Sequence, residues 1–161
     1  MHTLGGMEHV DYNVPGAYSY EQFFRLIQQL ELGYPALEEG YRRAAFNIIA
    51  VNQDDHVKNL AFLMDEQGHW SLAPAYDLTH ARGAGYTRRH QMSFAGKTDD
   101  FSLDDLLDVG RRFGLRSGGR EILTRIGAAL EVWPEQAAEA GVPRDAVDAI
   151  QGAFRRHCLP R

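Results

Sequence analysis

"FNIIAVNQDDHVKNLAFLMDEQGHWSLAPAYDLT", residues 46–79, begins as the end of an apolar helix and passes into a polar loop at residues 51–59. It emerges as two short apolar runs around "DEQG". Upstream, Leu37, Tyr41, Ala44, Ala45, Ile48, Ile49 and Val51 recur at three and four residues, and the segment turns apolar all round towards its end. That is the pattern of a helix buried in a core. "DEQG" holds the acid and glycine of a tight turn, so the runs on either side read as a β-hairpin. Between them, two adjacent acids, an imidazole, an ammonium and amides stand together. A cluster of this kind is an ordinary solvated turn or a built site.

Working outward, "YEQFFRLIQQL" sets Phe23, Phe24, Ile27 and Leu30 at helical spacing behind Ser19, a capping residue, and stops near Gly33 and Pro35. The buried helix is expected from Leu37. Residues 1–18 carry glycine, proline and no periodicity, and read as an irregular lead-in. Residues 80–97 read as a mobile loop with a short strand at "QMSFA", in which Arg82, Arg88, Arg89 and Lys97 are solvated cations. "SLDDLLDVGRRFGL" opens with Ser102 and Asp105 at capping-box spacing and closes at Gly114. "GREILTRIGAALEVW" places Ile122, Leu123, Ile126, Ala129, Leu130 and Trp133 on one face, Pro134 restarts the chain, and "RDAVDAIQGAFRRH" supplies a last helix. Phe62, Met64, Trp70 and Tyr76 are expected in the hairpin core. The fold class is therefore mostly α with a small β-hairpin.

With 161 residues and 44% hydrophobic content, the chain suits one core and a single domain over residues 1–161. A net charge of -5 gives no overall attraction for phosphate backbones or anionic membranes, so no direct nucleic-acid binding is expected. No apolar run reaches the roughly 18–20 residues that span a bilayer, and no secretory leader is visible, so the expected location is cytoplasmic. Cys158 is the lone cysteine, which excludes an intramolecular disulfide and a cysteine-based zinc site.

Phosphoryl transfer from a nucleotide needs a carboxylate to orient the attacking hydroxyl, and further oxygens to hold magnesium on the phosphates. Asp54 and Asn59 are five positions apart, the separation of the catalytic Asp and metal-binding Asn in a kinase catalytic loop. A hairpin returns its ends to one neighbourhood, so Asp77 could complete a magnesium site with Asn59 while Asp54 faces the acceptor. Lys58 would offset charge on the transferred group. His56 is expected to fix the loop by bonding backbone or Asp77. Against this, Asp77 could simply cap a turn, and Asp55 reads as loop-forming.

The stretch 46–79 resembles the central signature of the HipA-like serine/threonine kinases, the toxins of bacterial HipBA-type modules. "HTLGG", "SYEQFFRLIQQL", "QMSFAGK" and "SLDDLLDVGRRFGL" extend the resemblance over most of the chain. It implies a protein-kinase-like carboxyl-terminal lobe that uses ATP and Mg2+, with Asp54 as catalytic aspartate, Asn59 a magnesium ligand and Asp77 the second metal aspartate. The phosphate acceptor would be a serine or threonine of a protein substrate, an aminoacyl-tRNA synthetase for the best-known member, and the partner a HipB-type antitoxin. Asp55 stands where small residues are common in that family. No Gly-rich phosphate loop or β-rich amino-terminal lobe precedes residue 46, so a separate N-lobe chain is a further expected partner. The rival expectation is a non-catalytic kinase-like interaction module binding an antitoxin or that N-lobe. An aminoglycoside-type phosphotransferase shares the Asp-to-Asn spacing, but "HVKN" and "LAPAYDL" fit it less well.

Overall fold

In the computed structural model, which describes residues 1–161, the chain runs β1 (His2–Thr3), α1 (Leu4–Glu8), α2 (Tyr20–Gln29), α3 (Gly33–Ala50), β2 (Ala61–Met64) and β3 (Trp70–Leu72). Four helices follow: α4 (Leu103–Arg112), α5 (Arg120–Glu131), α6 (Trp133–Glu139) and α7 (Arg144–Ala153). The fold is mostly helical with one small antiparallel sheet, ordered β1-β2-β3. In that sheet Phe62 pairs with His2 on one side and Leu72 on the other.

Local chemistry explains the helix starts. Ser19 accepts the Gln22 N–H at 3.1 Å while the Gln22 side chain accepts the Ser19 N–H at 3.0 Å, and Ser102 with Asp105 repeats this capping box on α4. α3 begins at Gly33, four residues before the expected Leu37. Pro35 falls in its first turn, where a backbone N–H has no partner to lose, so the proline starts the helix rather than preceding it. Gly40 lets α2 and α3 cross closely, since a Cβ there would lie 2.7 Å from Ile27 Cδ1.

α3 is the axis of the core. Tyr41, Ala44, Ala45, Ile48 and Ile49 have no solvent exposure, and Phe23, Phe24, Phe62, Phe94 and Phe101 pack around them. The rings meet edge-on or tilted, Phe23 to Phe62 at 5.9 Å and Phe94 to Phe101 at 6.4 Å between centroids. Burying each such ring is worth about 1.5–3 kcal/mol, so this cluster dominates the stabilisation. Tyr41 keeps its hydroxyl satisfied by donating to Leu106 O at 2.9 Å, which ties α3 to α4.

Several expectations are corrected. The lead-in is not irregular throughout: β1 pairs with β2, Leu4 N–H donates to Leu60 O at 2.8 Å, and Leu4 is fully buried. Its partner strand lies far along the sequence, so no local periodicity announces it. Residues 80–97 are not a free loop, because His90, Gln91, Met92 and Phe94 are buried. The segment is stitched to the chain before α2 by Gly16 N–H to Gln91 O, Ser93 N–H to Tyr18 O and Tyr20 N–H to Ser93 O. Isolated bridges at Ser93 and Phe94 replace the expected strand. Lys97 pairs with Asp105 at 2.7 Å, whereas Arg82, Arg88 and Arg89 are exposed as expected. Met64 is half exposed and Tyr76 lies at the surface, so only Phe62 of the hairpin residues is core, with Trp70 partly buried. Ala129 faces solvent on α5 while Ile122, Leu123, Ile126 and Leu130 face inward.

Cys158 is fully buried and donates to Phe101 O at 3.2 Å. Burial above all pushes its thiol up to about 11. Iodoacetamide at pH 8 is therefore expected to leave the native chain unmodified and to alkylate it once only when urea unfolds it, because the thiolate is the reactive form.

Candidate phosphotransfer site

α3 ends at Val51, whose φ of 60° and ψ of 50° put a β-branched residue in the left-handed region, at a cost of about 1–2 kcal/mol. This turn throws the chain off the buried helix into the polar loop. Val51 O accepts the Ala81 N–H, and the Gln53 N–H donates to Ala81 O at 2.8 Å, so the loop's first residues are pinned to the segment after the hairpin. Strain held in place by surrounding structure is a feature of functional loops.

Asn59 binds the loop to the hairpin's far end. Its Nδ2 donates to Asp54 O at 3.0 Å and to Asp77 Oδ2 at 2.8 Å. With both amide hydrogens committed, Asn59 Oδ1 is left as an acceptor. Asp77 sits at φ 54°, a left-handed conformation aspartate tolerates, and Asn52 Nδ2 donates to its carbonyl at 3.1 Å. Asp54, Asn59 and Asp77 are thus brought together. Asp54 is partly exposed, with its carboxylate 3.8 Å from His56 Nε2.

The other two expected residues sit beside them. His56 does not bond Asp77: it lies edge-on to Tyr12 and its Nδ1 finds no protein partner. Lys58 is exposed, with its ammonium 3.3 Å from the centre of the Tyr12 ring, a cation–π contact that parks the charge near the loop. Tyr76 donates to Lys58 O, and Tyr86 donates to Tyr12 O. The Tyr86 hydroxyl is raised above its ordinary range by partial burial and then by the Asp54 charge. The Tyr76 hydroxyl is raised by partial burial and then by the Asp77 charge.

Asp55 is the residue sequence reasoning missed. Its side chain is fully buried and accepts from Tyr20 Oη, His90 Nδ1 and the Gln91 N–H, each at 2.8 Å. Tyr20 Oη accepts in turn from Asn47 Nδ2 at 2.9 Å, and Asn47 Oδ1 accepts from Asn52 Nδ2 at 3.1 Å. Burial first, then the Asp55 charge, pushes the Tyr20 hydroxyl well above its ordinary range. One signal was available: Asn47 and Asn52 are amides in an otherwise apolar stretch, and buried amides must be bonded to something. Nothing local marked His90 and Gln91, which follow two arginines in a glycine-containing segment.

Asn47, Asn52, Asp55, His56, Asn59 and Asp77 line one small cleft. Asn52 Oδ1 and His56 Nδ1, both buried, have no protein partner there. The spare oxygens are those of carboxylate and amide groups, the donor type a hard divalent cation takes, but the cleft itself admits only about 10 Å³, so a hydrated ion would have to meet Asp77 from its exposed side. No group of three or more His, Cys, Asp or Glu placed to hold a metal ion gathers here or elsewhere in the chain. A wider groove of about 320 Å³ runs between α3, α5 and residues 75–78, floored by Phe46, Leu78 and Ile126 and rimmed by Arg42 and Arg125.

This arrangement of helices and sheet is that of a solved HipA. The structure of the Shewanella oneidensis MR-1 toxin–antitoxin system HipA, HipB and operator DNA complex matches with a TM-score of 0.68 at 19% identity, over 91% of this chain and 36% of that one. The family of HipA-like C-terminal domains matches residues 1–133, and the chain belongs to it. It spans about a third of the length of the solved relative. No curated protein matches it. No helix is long and apolar enough to cross a membrane.

Proposed function

We propose that this chain carries half of a Mg2+-dependent phosphotransfer site, the catalytic-loop half of a HipA-like serine/threonine kinase. The observation that carries the reading is the pair of hydrogen bonds donated by Asn59 Nδ2, which joins the backbone of Asp54 to the carboxylate of Asp77. In this reading Asp54, partly open to solvent, accepts the proton of a serine or threonine hydroxyl on a protein substrate. Asn59 Oδ1 and Asp77 would hold the metal, and Asn52 fixes the Asp77 backbone so that its carboxylate stays beside Asn59. Lys58 leaves the Tyr12 ring to meet the transferred phosphoryl group. Mg2+, when bound with ATP, neutralises charge on the phosphates.

The nucleotide needs a second wall. Leu63 and Met64 on β2, with Tyr76 and Leu78 flanking Asp77, are exposed apolar residues. Tyr76 and Leu78, on either side of Asp77, fit cover by a nucleotide-clamping lobe from a separate chain or a further part of a longer one. A HipB-type antitoxin is the partner this reading favours, and the cytoplasm the location, in keeping with the solved relative's assembly with HipB.

Calorimetry with Mg2+ and ATP tests the reading, on this chain and on Asp77→Asn, with and without the amino-terminal lobe. Binding is expected to require Mg2+, to strengthen with the lobe, and to weaken about 10–100-fold in Asp77→Asn, the range for disturbed metal sites. Absence of nucleotide binding in every arm would leave a non-catalytic interaction module as the function.

A further inference from the structure

Arg155 follows α7, outside the residues the family match covers, yet its guanidinium is inserted beneath the candidate site. One terminal nitrogen, Nη1, donates to Ile48 O at 2.9 Å and lies 2.7 Å from His90 Nε2. The other, Nη2, donates to Asp99, and the group lies 5.5 Å from the centre of the Phe101 ring. The Arg155 N–H also donates to Ile49 O, so backbone and side chain both grip the end of α3.

A guanidinium has donors and no acceptor. His90 Nε2 must therefore accept, which places the ring proton on Nδ1, 2.8 Å from Asp55 Oδ2. His90 and Asp55 have no solvent exposure, so no bulk water competes for that proton. The line Asp99, Arg155, His90, Asp55 runs from the surface to the residue next to Asp54. From Asp55 it continues through Tyr20, Asn47 and Asn52 to the backbone of Asp77. The backbone of Asp77 and the residue next to Asp54 are thus tied to one network, with Arg155 at its outer end.

We propose that Arg155 is a positioning residue: by donating to His90 Nε2 and to the carbonyls at the end of α3 it clamps the His90 ring against Asp55, and through Asp55 and Asn52 it sets the loop that presents Asp54 and Asp77. Its effect on turnover rests on the phosphotransfer reading; its effect on His90 does not.

Two readouts separate these. Long-range 1H–15N spectra of the labelled chain are expected to show the Nδ1–H tautomer at His90. In Arg155→Met, which keeps a stem over Phe101 but offers no donor, the proton stays on Nδ1 against Asp55 while the Nε2 resonance, having lost its donor, moves. Asp99→Ala, at the exposed end, unties the guanidinium without opening the core and shifts the same signals less. With the amino-terminal lobe supplied, Arg155→Met is expected to lower kcat about 10–100-fold at unchanged KM for Mg-ATP, with part recovered in Arg155→Lys. An unchanged Nε2 resonance in Arg155→Met would overturn the proposal whatever the activity. A shifted Nε2 resonance with wild-type kcat would overturn the positioning role. A shifted Nε2 resonance in a two-lobe protein that transfers no phosphate even as wild type would remove the phosphotransfer reading and leave the hold on His90 standing.

Discussion

Asp54→Ala is expected to abolish phosphoryl transfer in the two-lobe protein while leaving the chain folded. The side chain is about 40% exposed and the one basic side chain within 4 Å is His56 at 3.8 Å, so removing it opens no cavity and strands no buried partner. The stability change is expected to stay within about 0.5 kcal/mol, as for surface positions generally. Loss of a positioned base removes about 10²–10⁴-fold of rate. Incorporation of labelled phosphate into a protein substrate, read beside a urea denaturation curve, checks both halves of the expectation. Transfer at near wild-type rate would remove Asp54 from the catalytic role.

The neighbouring substitution behaves in the opposite sense. Asp55→Ala deletes the acceptor for three donors, the Tyr20 hydroxyl, the His90 ring N–H and the Gln91 backbone N–H, all of them in the dry interior. Breaking a buried charged group away from its partners costs about 3–5 kcal/mol, a large share of the stability of a domain this size. The midpoint of urea unfolding is expected to fall accordingly. Asp55→Asn recovers part of the loss, since its carbonyl oxygen still accepts from Gln91 while its amide faces the remaining donors. A midpoint unchanged in Asp55→Ala would mean the network carries no stabilisation. Two adjacent aspartates thus separate function from folding: one faces solvent and would do chemistry, the other is buried and holds the loop.

The pattern of apolar residues along α3 and the turn in "DEQG" were readable because both depend on neighbours within a few positions. So was the meeting of Asp54, Asn59 and Asp77, since five residues of loop and one hairpin leave the chain little choice. The pairing of β1 with β2, the burial of His90 and Gln91, and the close approach of α4 to Gly118 were not. There, a Cβ on Gly110 would lie 2.1 Å from Gly118 O, so glycine is required by a segment that the sequence around it does not reveal.

Asp55 shows the division most plainly. By itself the sequence determined a helix, a polar loop and a hairpin with acids at fixed separations, because local propensity and chain connectivity set those. Which of two identical side chains turns inward was decided by the tertiary structure alone. Its partners Tyr20, His90 and Gln91 lie 35 and 36 residues away, and only the packed core brings their donors to one carboxylate.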